Sequence, residues 1–220
     1  MAWYKLDEEG NIEGLLKPLT PLINYVARLN GTDQYWQLSG GITLELGDLV
    51  EFEFVSGGDN TNSFVIDSTD RSSFIFNKNS TVQRSSALGF MDINGEMVQN
   101  LATPFPSEGV VNIVSIRMDV SVATIDFIGC EYREDRGYFS GLFRNFKVTR
   151  GGSVIHQIPL TNKAQGATQL ATVGSVNATM IGYTPDVWEV LPELWYNKTT
   201  GMVICSDKLI ECNNEVIPCL

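Results

Sequence analysis

The stretch ITLELGDLVEFEFV constrains the fold more than any other part of this chain. Leu44 and Leu46, then Val50, Phe52 and Phe54, fall on one face, and Glu51 and Glu53 fall on the other. Successive side chains of an extended backbone point to opposite sides, so this alternation calls for strands with one dry and one wet face. SFVID and SFIFN follow, rich in β-branched and aromatic residues and closed by polar turn residues. FMDINGEMV sets Asn94-Gly95 between apolar flanks. That pair marks a hairpin, because a type I′ turn needs positive φ twice in succession. VVNIVSIRM, ATIDFIG, YFSGLFRNFKVT and SVIHQIPL, the last two joined by a turn at Arg150-Gly151-Gly152, bring the expectation to ten or more strands between Gln34 and Leu160.

No window of about a dozen residues carries a clean helical stripe. IEGLLKPLTPLINYV is the nearest, and Pro18 and Pro21 break it. Many short strands separated by turns predict a sandwich or a barrel. Half-wet strands select two antiparallel sheets packed face to face. The expected organisation is a docking arm over 1–24, an all-β sandwich over 25–190 and a C-terminal β-meander over 191–220. A chain of 220 residues buries about 70% of its unfolded surface, so it needs neither metal nor disulfide to hold together.

A net charge of -11 argues against nucleic acid or an anionic membrane as partner, since both need a basic footprint. MAWYKLDEEGNIEG has no basic end followed by an apolar run, so no signal peptide is expected. No stretch of about 18 apolar residues predicts a membrane span. The four cysteines then read as reduced thiols of a chain made in a cytosol.

ARLNGTDQYWQLSGGITLELGDLVEFEFV resembles the opening of a laminin-G-like, concanavalin A-type jelly roll, with its glycine turn, aromatic strand and inner-sheet strand. FMDINGEMV is similar to the hairpin of that family. FIGCEYREDRGYFSGLFRNFKV is similar to its most recognisable block: Ile128-Gly129, a loop, then Phe139, Gly141, Phe146 and Val148 in a Phe-x-Gly-x-x-x-x-Phe-x-Val spacing. The resemblance spans roughly residues 26–160 and implies a two-sheet antiparallel jelly roll. It leaves function open, because that fold carries lectins, glycosidases and scaffolds alike. A sandwich with a short start and a β-rich tail is also similar in organisation to structural proteins of tailed bacteriophages: tail fibres, head fibres and capsid decoration proteins. That likeness implies a virion protein made in the host cytoplasm. Its partners would be other virion proteins or itself, as a homo-oligomer with a trimer among the options, and a host-surface glycan.

Residues that carry chemistry are sparse. Glu51 and Glu53 stand about 7 Å apart on one strand face, inside the window of about 5.5–9.5 Å used by glycosidase carboxylates. Glycosidases of the resembled fold carry a longer Glu-x-Asp-x-Glu motif, which ELGDLVEFEF lacks, so a solvated strand face is the simpler reading. His156, the one histidine, is the sole candidate base for a nucleophile such as Cys130, although a lone strand histidine is more often structural. Gly40-Gly41, Gly57-Gly58 and Gly151-Gly152 read as strand-to-strand turns, since no helix follows them to make a phosphate loop. The expectation is a protein that is not an enzyme and holds no cofactor.

The resemblance leaves room for calcium on loop carboxylates, either Asp67 with Asp70, or Glu131 with Glu134 and Asp135. Such clusters also arise without a metal in a chain this acidic. For a glycan, Tyr35 and Trp36 are adjacent, so that one faces in and the other out and could serve as an aromatic platform. Core packing of both is the competing reading.

The last residues repeat every seven positions: Met202-Val203-Ile204-Cys205, Leu209-Ile210-Glu211-Cys212 and Val216-Ile217-Pro218-Cys219. Each copy reads as a strand, and each polar triplet between copies as a tight loop. Cys205, Cys212 and Cys219 recur at one position, where they read as small buried hydrophobes. A zinc site would lack a fourth ligand, and a disulfide would need an oxidising medium. A ribbon this thin cannot bury its own apolar face. It must lie on its own sandwich or pair with another chain. With Trp3 and Tyr4 in the arm and Trp195 and Tyr196 leading into the tail, both ends are expected to dock the sandwich during assembly. Two rivals stand beside this reading: a solitary carbohydrate-binding module, and third, a glycoside hydrolase working through Glu51 and Glu53.

Overall fold

The computed structural model describes residues 4–6, 12–15, 25–58, 60–119, 122–133, 137–190, 195–197, 202–205 and 208–211. The chain divides into two units: Tyr25–Glu189, and Met1–Asn24 with Val190–Leu220.

Strands are numbered along the chain. The terminal unit contributes β1 (Tyr4–Leu6) paired with β2 (Ile12–Leu15), and the antiparallel ribbon β18 (Trp195–Asn197), β19 (Met202–Cys205) and β20 (Lys208–Glu211). In that ribbon Tyr196 stands opposite Val203, and Val203 opposite Ile210. Its three strands are therefore the aromatic lead-in and parts of the first two seven-residue copies. The third copy, with Cys219, lies outside the described residues, as do Trp3 and Cys212.

The larger unit is an all-β pair of antiparallel sheets. One contains β3 (Tyr25–Asn30), β5 (Leu49–Ser56), β9 (Phe90–Ile93), β10 (Glu96–Met97), β11 (Val111–Arg117), β13 (Ser140–Arg150), β14 (Ser153–Ile158) and β17 (Trp188–Val190), in the order β10-β9-β11-β5-β13-β3-β17 with β14 also on β13. The other contains β4 (Tyr35–Glu45), β6 (Phe64–Asp67), β7 (Ile75–Lys78), β8 (Thr81–Arg84), β12 (Val122–Ile128), β15 (Thr168–Gln169) and β16 (Ala178–Ile181), in the order β15-β16-β4-β12-β6-β7-β8.

The period-two pattern decides what lies between them. Val50, Phe52 and Phe54 of β5 are buried with Val114 and Ile116 of β11 and Phe143, Phe146 and Val148 of β13. They meet Trp36, Leu38, Ile42 and Leu44 of β4 and Ile125 of β12 in one continuous core. Phe139 and Phe143 pack with ring centroids 4.8 Å apart, and Phe52 stacks on Phe146 at 6.1 Å. Each such ring contributes about 1.5–3 kcal/mol by burial, so this aromatic cluster anchors the two layers.

Local turn chemistry behaves as expected at Asn94-Gly95, whose φ values of 57° and 80° join β9 to β10, and at Gly151-Gly152 between β13 and β14. The turn at Leu46-Gly47-Asp48 instead carries the chain from one sheet to the other, since β4 and β5 belong to different layers. Gly40-Gly41 is not a turn. Both residues sit inside the eleven-residue β4 with φ of 82° and 66°, where the register with β12 shifts. A Cβ on Gly41 would lie against the Asp126 carboxylate. The two glycines therefore make a bulge that bends one long strand.

Candidate functional site: a cavity on the outer face of the seven-stranded sheet

Strands β6, β7 and β8 form one edge of the seven-stranded sheet. Ile66 lies opposite Ile75, and both are buried in the core with Val82 of β8. Strict alternation from Ile66 would also send Phe64 inward. A register shift between Phe64 and Ile66 adds one residue to β6, so Phe64 instead stands opposite Phe76. Phe76 in turn stands opposite Gln83. An extra residue flips the parity of a strand. The row Phe64–Phe76–Gln83 is thereby turned to the side away from the core. The first two rings touch at 4.5 Å between centroids, and Phe74 stands edge-on to Phe64 at 6.4 Å.

This row floors a cavity of about 320 Å³, lined also by Asn62, Arg71, Phe74, Glu131 and Gly137. Its volume falls at the lower end of the range for small-molecule sites, about 300–1,000 Å³. Arg71 comes from the β6–β7 turn with φ of 58°. Its guanidinium carbon lies 5.9, 5.6 and 5.2 Å from the ring centres of Phe64, Phe74 and Tyr132. Such cation–ring contacts contribute about 0.5–2 kcal/mol each and hold the fork in a fixed plane. The turn is tied down by Asp70, which accepts the Ser72 amide at 2.9 Å, and by Asp126, which accepts the Thr69 amide at 2.7 Å.

The opposite wall follows β12. Glu131 is buried, and Arg71 Nη1 approaches its Oε1 at 3.8 Å. Asp67, at the end of β6, is wholly buried and holds this wall in place. Its Oδ1 accepts the Ser68 amide and its Oδ2 the Tyr132 amide, each at 2.9 Å. Burial pushes the Asp67 carboxyl up to about 6; the two amide bonds and the Arg71 charge oppose that rise, and Glu131 adds to it.

Tyr35 and Trp36 do not form an exposed platform. Trp36 enters the core with no exposure, and Tyr35, on the opposite face of β4, is covered as well, with 3% of its surface exposed. The segment after β12 folds over that outer face, so Tyr35 packs with Phe127, Cys130, Tyr132 and Tyr138. Adjacent strand residues do face opposite ways; here both sides are dry.

Glu51 and Glu53 share the solvent side of β5, each with an ion pair to β13. Lys147 Nζ lies 2.7 Å from Glu51, and Arg144 Nε lies 2.7 Å from Glu53. Asn145 also donates to Glu53 at 2.7 Å. His156 and Cys130 are not brought together by strand pairing: His156 lies on β14 of one sheet, and Cys130 follows β12 in the other. The His156 Nδ1 is buried beside Gly174, and desolvation, with the Arg150 charge, lowers its affinity for a proton. Asp67 accepts the Ser68 and Tyr132 amides, Asp70 accepts the Ser72 amide and the Thr124 hydroxyl, and Glu131 faces Arg71. Among the described residues no group of three or more His, Cys, Asp or Glu side chains could hold a metal. Glu134 and Asp135 lie outside the described residues.

Three of the residues that line the cavity, Phe64, Phe74 and Phe76, read in the sequence only as aromatic members of the strands SFVID and SFIFN. Nothing local marks the bulge that turns Phe64 outward. Arg71, within the polar turn STDRSS, was the visible hint: a cation between two aromatic strands. Comparison with protein-family models, curated proteins and solved structures finds no match to this chain.

Proposed function

We propose that this chain is a non-enzymatic structural module of a phage virion, a laminin-G-like jelly roll that meets a neutral saccharide of a host surface in the cavity between Phe76 and Glu131. The observation that carries the reading is the mixture of groups around that cavity. An aromatic floor suits the C–H face of a sugar ring. A carboxylate that only accepts, a guanidinium that only donates, and the amides of Asn62 and Gln83 that do both suit hydroxyls, each of which donates and accepts. Charges of both signs, Arg71 and Glu131, disfavour a strongly charged ligand. A purely apolar ligand would leave the polar groups unsatisfied.

The virion setting rests on the resemblance of overall organisation, with appended segments at both ends of the sandwich. The rival reading, a solitary carbohydrate-binding module, draws on the same cavity and differs in needing no assembly.

The test is a screen of the full chain on immobilised neutral glycans, followed by calorimetry with the best binder and with Phe76→Ala and Gln83→Ala. Saccharide binding that weakens about tenfold in either variant at an unchanged melting temperature supports the site. Absence of binding to neutral glycans, or binding indifferent to both substitutions, overturns it.

A further inference from the structure

Arg71 is held in place without spending its hydrogen bonds. Its contacts with the rings of Phe64, Phe74 and Tyr132 draw on the guanidinium charge and leave the in-plane N–H groups for oxygen acceptors. Among the described residues the Arg71 side chain donates no hydrogen bond. Its ion-pair contact, Nη1 to Glu131 Oε1 at 3.8 Å, lies beyond hydrogen-bond reach. The Glu131 side chain is 6% exposed and that of Arg71 42%. A buried acceptor therefore stands beside a fixed donor fork that a ligand can reach.

The gap between them admits one hydroxyl oxygen, accepting from Nη1 at about 2.9 Å and donating to Oε1 at about 2.7 Å. A guanidinium presents its N–H groups in parallel pairs, which take two oxygens side by side. A carboxylate or phosphate carries such oxygens, but Glu131 repels an anion there. Two hydroxyls on adjacent ring carbons supply them without charge when they are gauche, whereas anti hydroxyls point away from each other. At about 320 Å³ the cavity has room for one sugar ring and not for a run of them.

We propose that Arg71 is the specificity-determining residue of this cavity: its fork reads a gauche pair of adjacent hydroxyls on one sugar ring, and Glu131 accepts a hydrogen bond from one of the pair. This rests on the saccharide reading and narrows it, from neutral saccharides at large to a single ring that offers such a pair. Lysine in place of Arg71 keeps the charge and loses the paired donors, so the substitution separates the fork from the charge.

The probes are the methyl pyranosides of glucose, galactose and mannose with their deoxy counterparts, titrated at millimolar concentration into the full chain and followed by protein NMR. In each of these rings every pair of adjacent ring hydroxyls includes the 3-hydroxyl. The expected result is that at least one parent glycoside binds and that its 3-deoxy counterpart binds about tenfold more weakly or worse. One of the 2-deoxy and 4-deoxy counterparts should lose as much, and the 6-deoxy counterpart should keep the parent's affinity. Arg71→Lys should weaken the parent glycoside about tenfold or more at an unchanged melting temperature. A 3-deoxy glycoside that binds like its parent overturns the proposal, and so does full affinity in Arg71→Lys. Should that variant fail to fold, the deoxy series decides by itself. An immobilised neutral glycan that binds while no methyl hexoside does would sink the single-ring proposal and leave the saccharide reading standing. No binding to any neutral glycan removes both.

Discussion

Arg150 grips Asp48 with two parallel hydrogen bonds, Nε to Oδ1 and Nη2 to Oδ2, both 2.8 Å, and the Asp48 side chain is wholly buried. Asp48 sits at the turn that carries the chain from β4 to β5, and Arg150 ends β13, so the pair ties the inter-sheet corner to the far end of a neighbouring strand. Burial alone would raise the Asp48 carboxyl. The Arg150 bonds, the Glu45 amide and the Arg150 charge outweigh it and hold the group below its ordinary 3.8. The stabilisation is therefore full above that value and lost as pH falls through the lower folded value. Arg150→Ala leaves a buried carboxylate with the Glu45 amide as its remaining partner and should cost about 2–3 kcal/mol, read as a lower urea midpoint at neutral pH.

Asp67 works in the opposite direction. Its folded value lies above the ordinary 3.8, near 6, so between those limits the folded chain binds more protons than the unfolded one. Its contribution to stability thus grows as pH falls from about 7 to about 4, with a slope of up to about 1.4 kcal/mol per pH unit. Asp67→Asn should remove this component. The difference in unfolding free energy between parent and variant, measured by urea titration across that window, should change with pH in this sense.

Gly141 leaves no room for a side chain. Its φ is 146°, and an added Cβ would meet the Val55 carbonyl and the Phe139 ring well inside contact distance. Gly141→Ala should cost about 3 kcal/mol or more, because both the conformation and the space are lost. Circular dichroism melting of the variant checks it, and an unchanged midpoint would mean that β13 can shift away from β5.

Glu51→Gln and Glu53→Gln should each change stability by less than about 1 kcal/mol, since both ion pairs are partly exposed. Neither should alter any release of reducing ends from soluble oligosaccharides. A hydrolytic activity in the parent that either variant abolishes would make this protein a glycosidase.

A full chain and a version ending at Leu191, compared by light scattering in reductant, should differ in mass. The full chain is expected to be an oligomer and the shortened one a soluble monomer. Equal monomer masses would remove self-assembly through the tail and favour the solitary module.

The exposed glutamates of β5 and the buried phenylalanines between them were legible directly, because alternation is a property of the extended backbone and needs no partner. The cavity was not, although every residue lining it is in plain view. Phe64 and Phe76 stand in the sequence as ordinary members of the aromatic strands SFVID and SFIFN, and only the pairing of β6 with β7 shows that a bulge turns Phe64 to the side of Phe76, away from the core. Tyr35 is buried, as core packing of the pair had it, for a reason of the same kind: its strand face is outward, but Cys130, Tyr132 and Tyr138 pack over it.

By itself, then, the sequence determined the all-β class, the dry and wet faces of β5 and the Asn94-Gly95 hairpin, since periodicity and turn conformation are set by neighbours a few residues away. The tertiary structure alone decided that β4 and β5 lie in opposite sheets, that Gly40-Gly41 bends a strand, and that Phe64, Phe76, Arg71 and Glu131 share one cavity. Those outcomes depend on strand register and on coverage by segments far along the chain, where a shift of one residue exchanges the two faces of a strand.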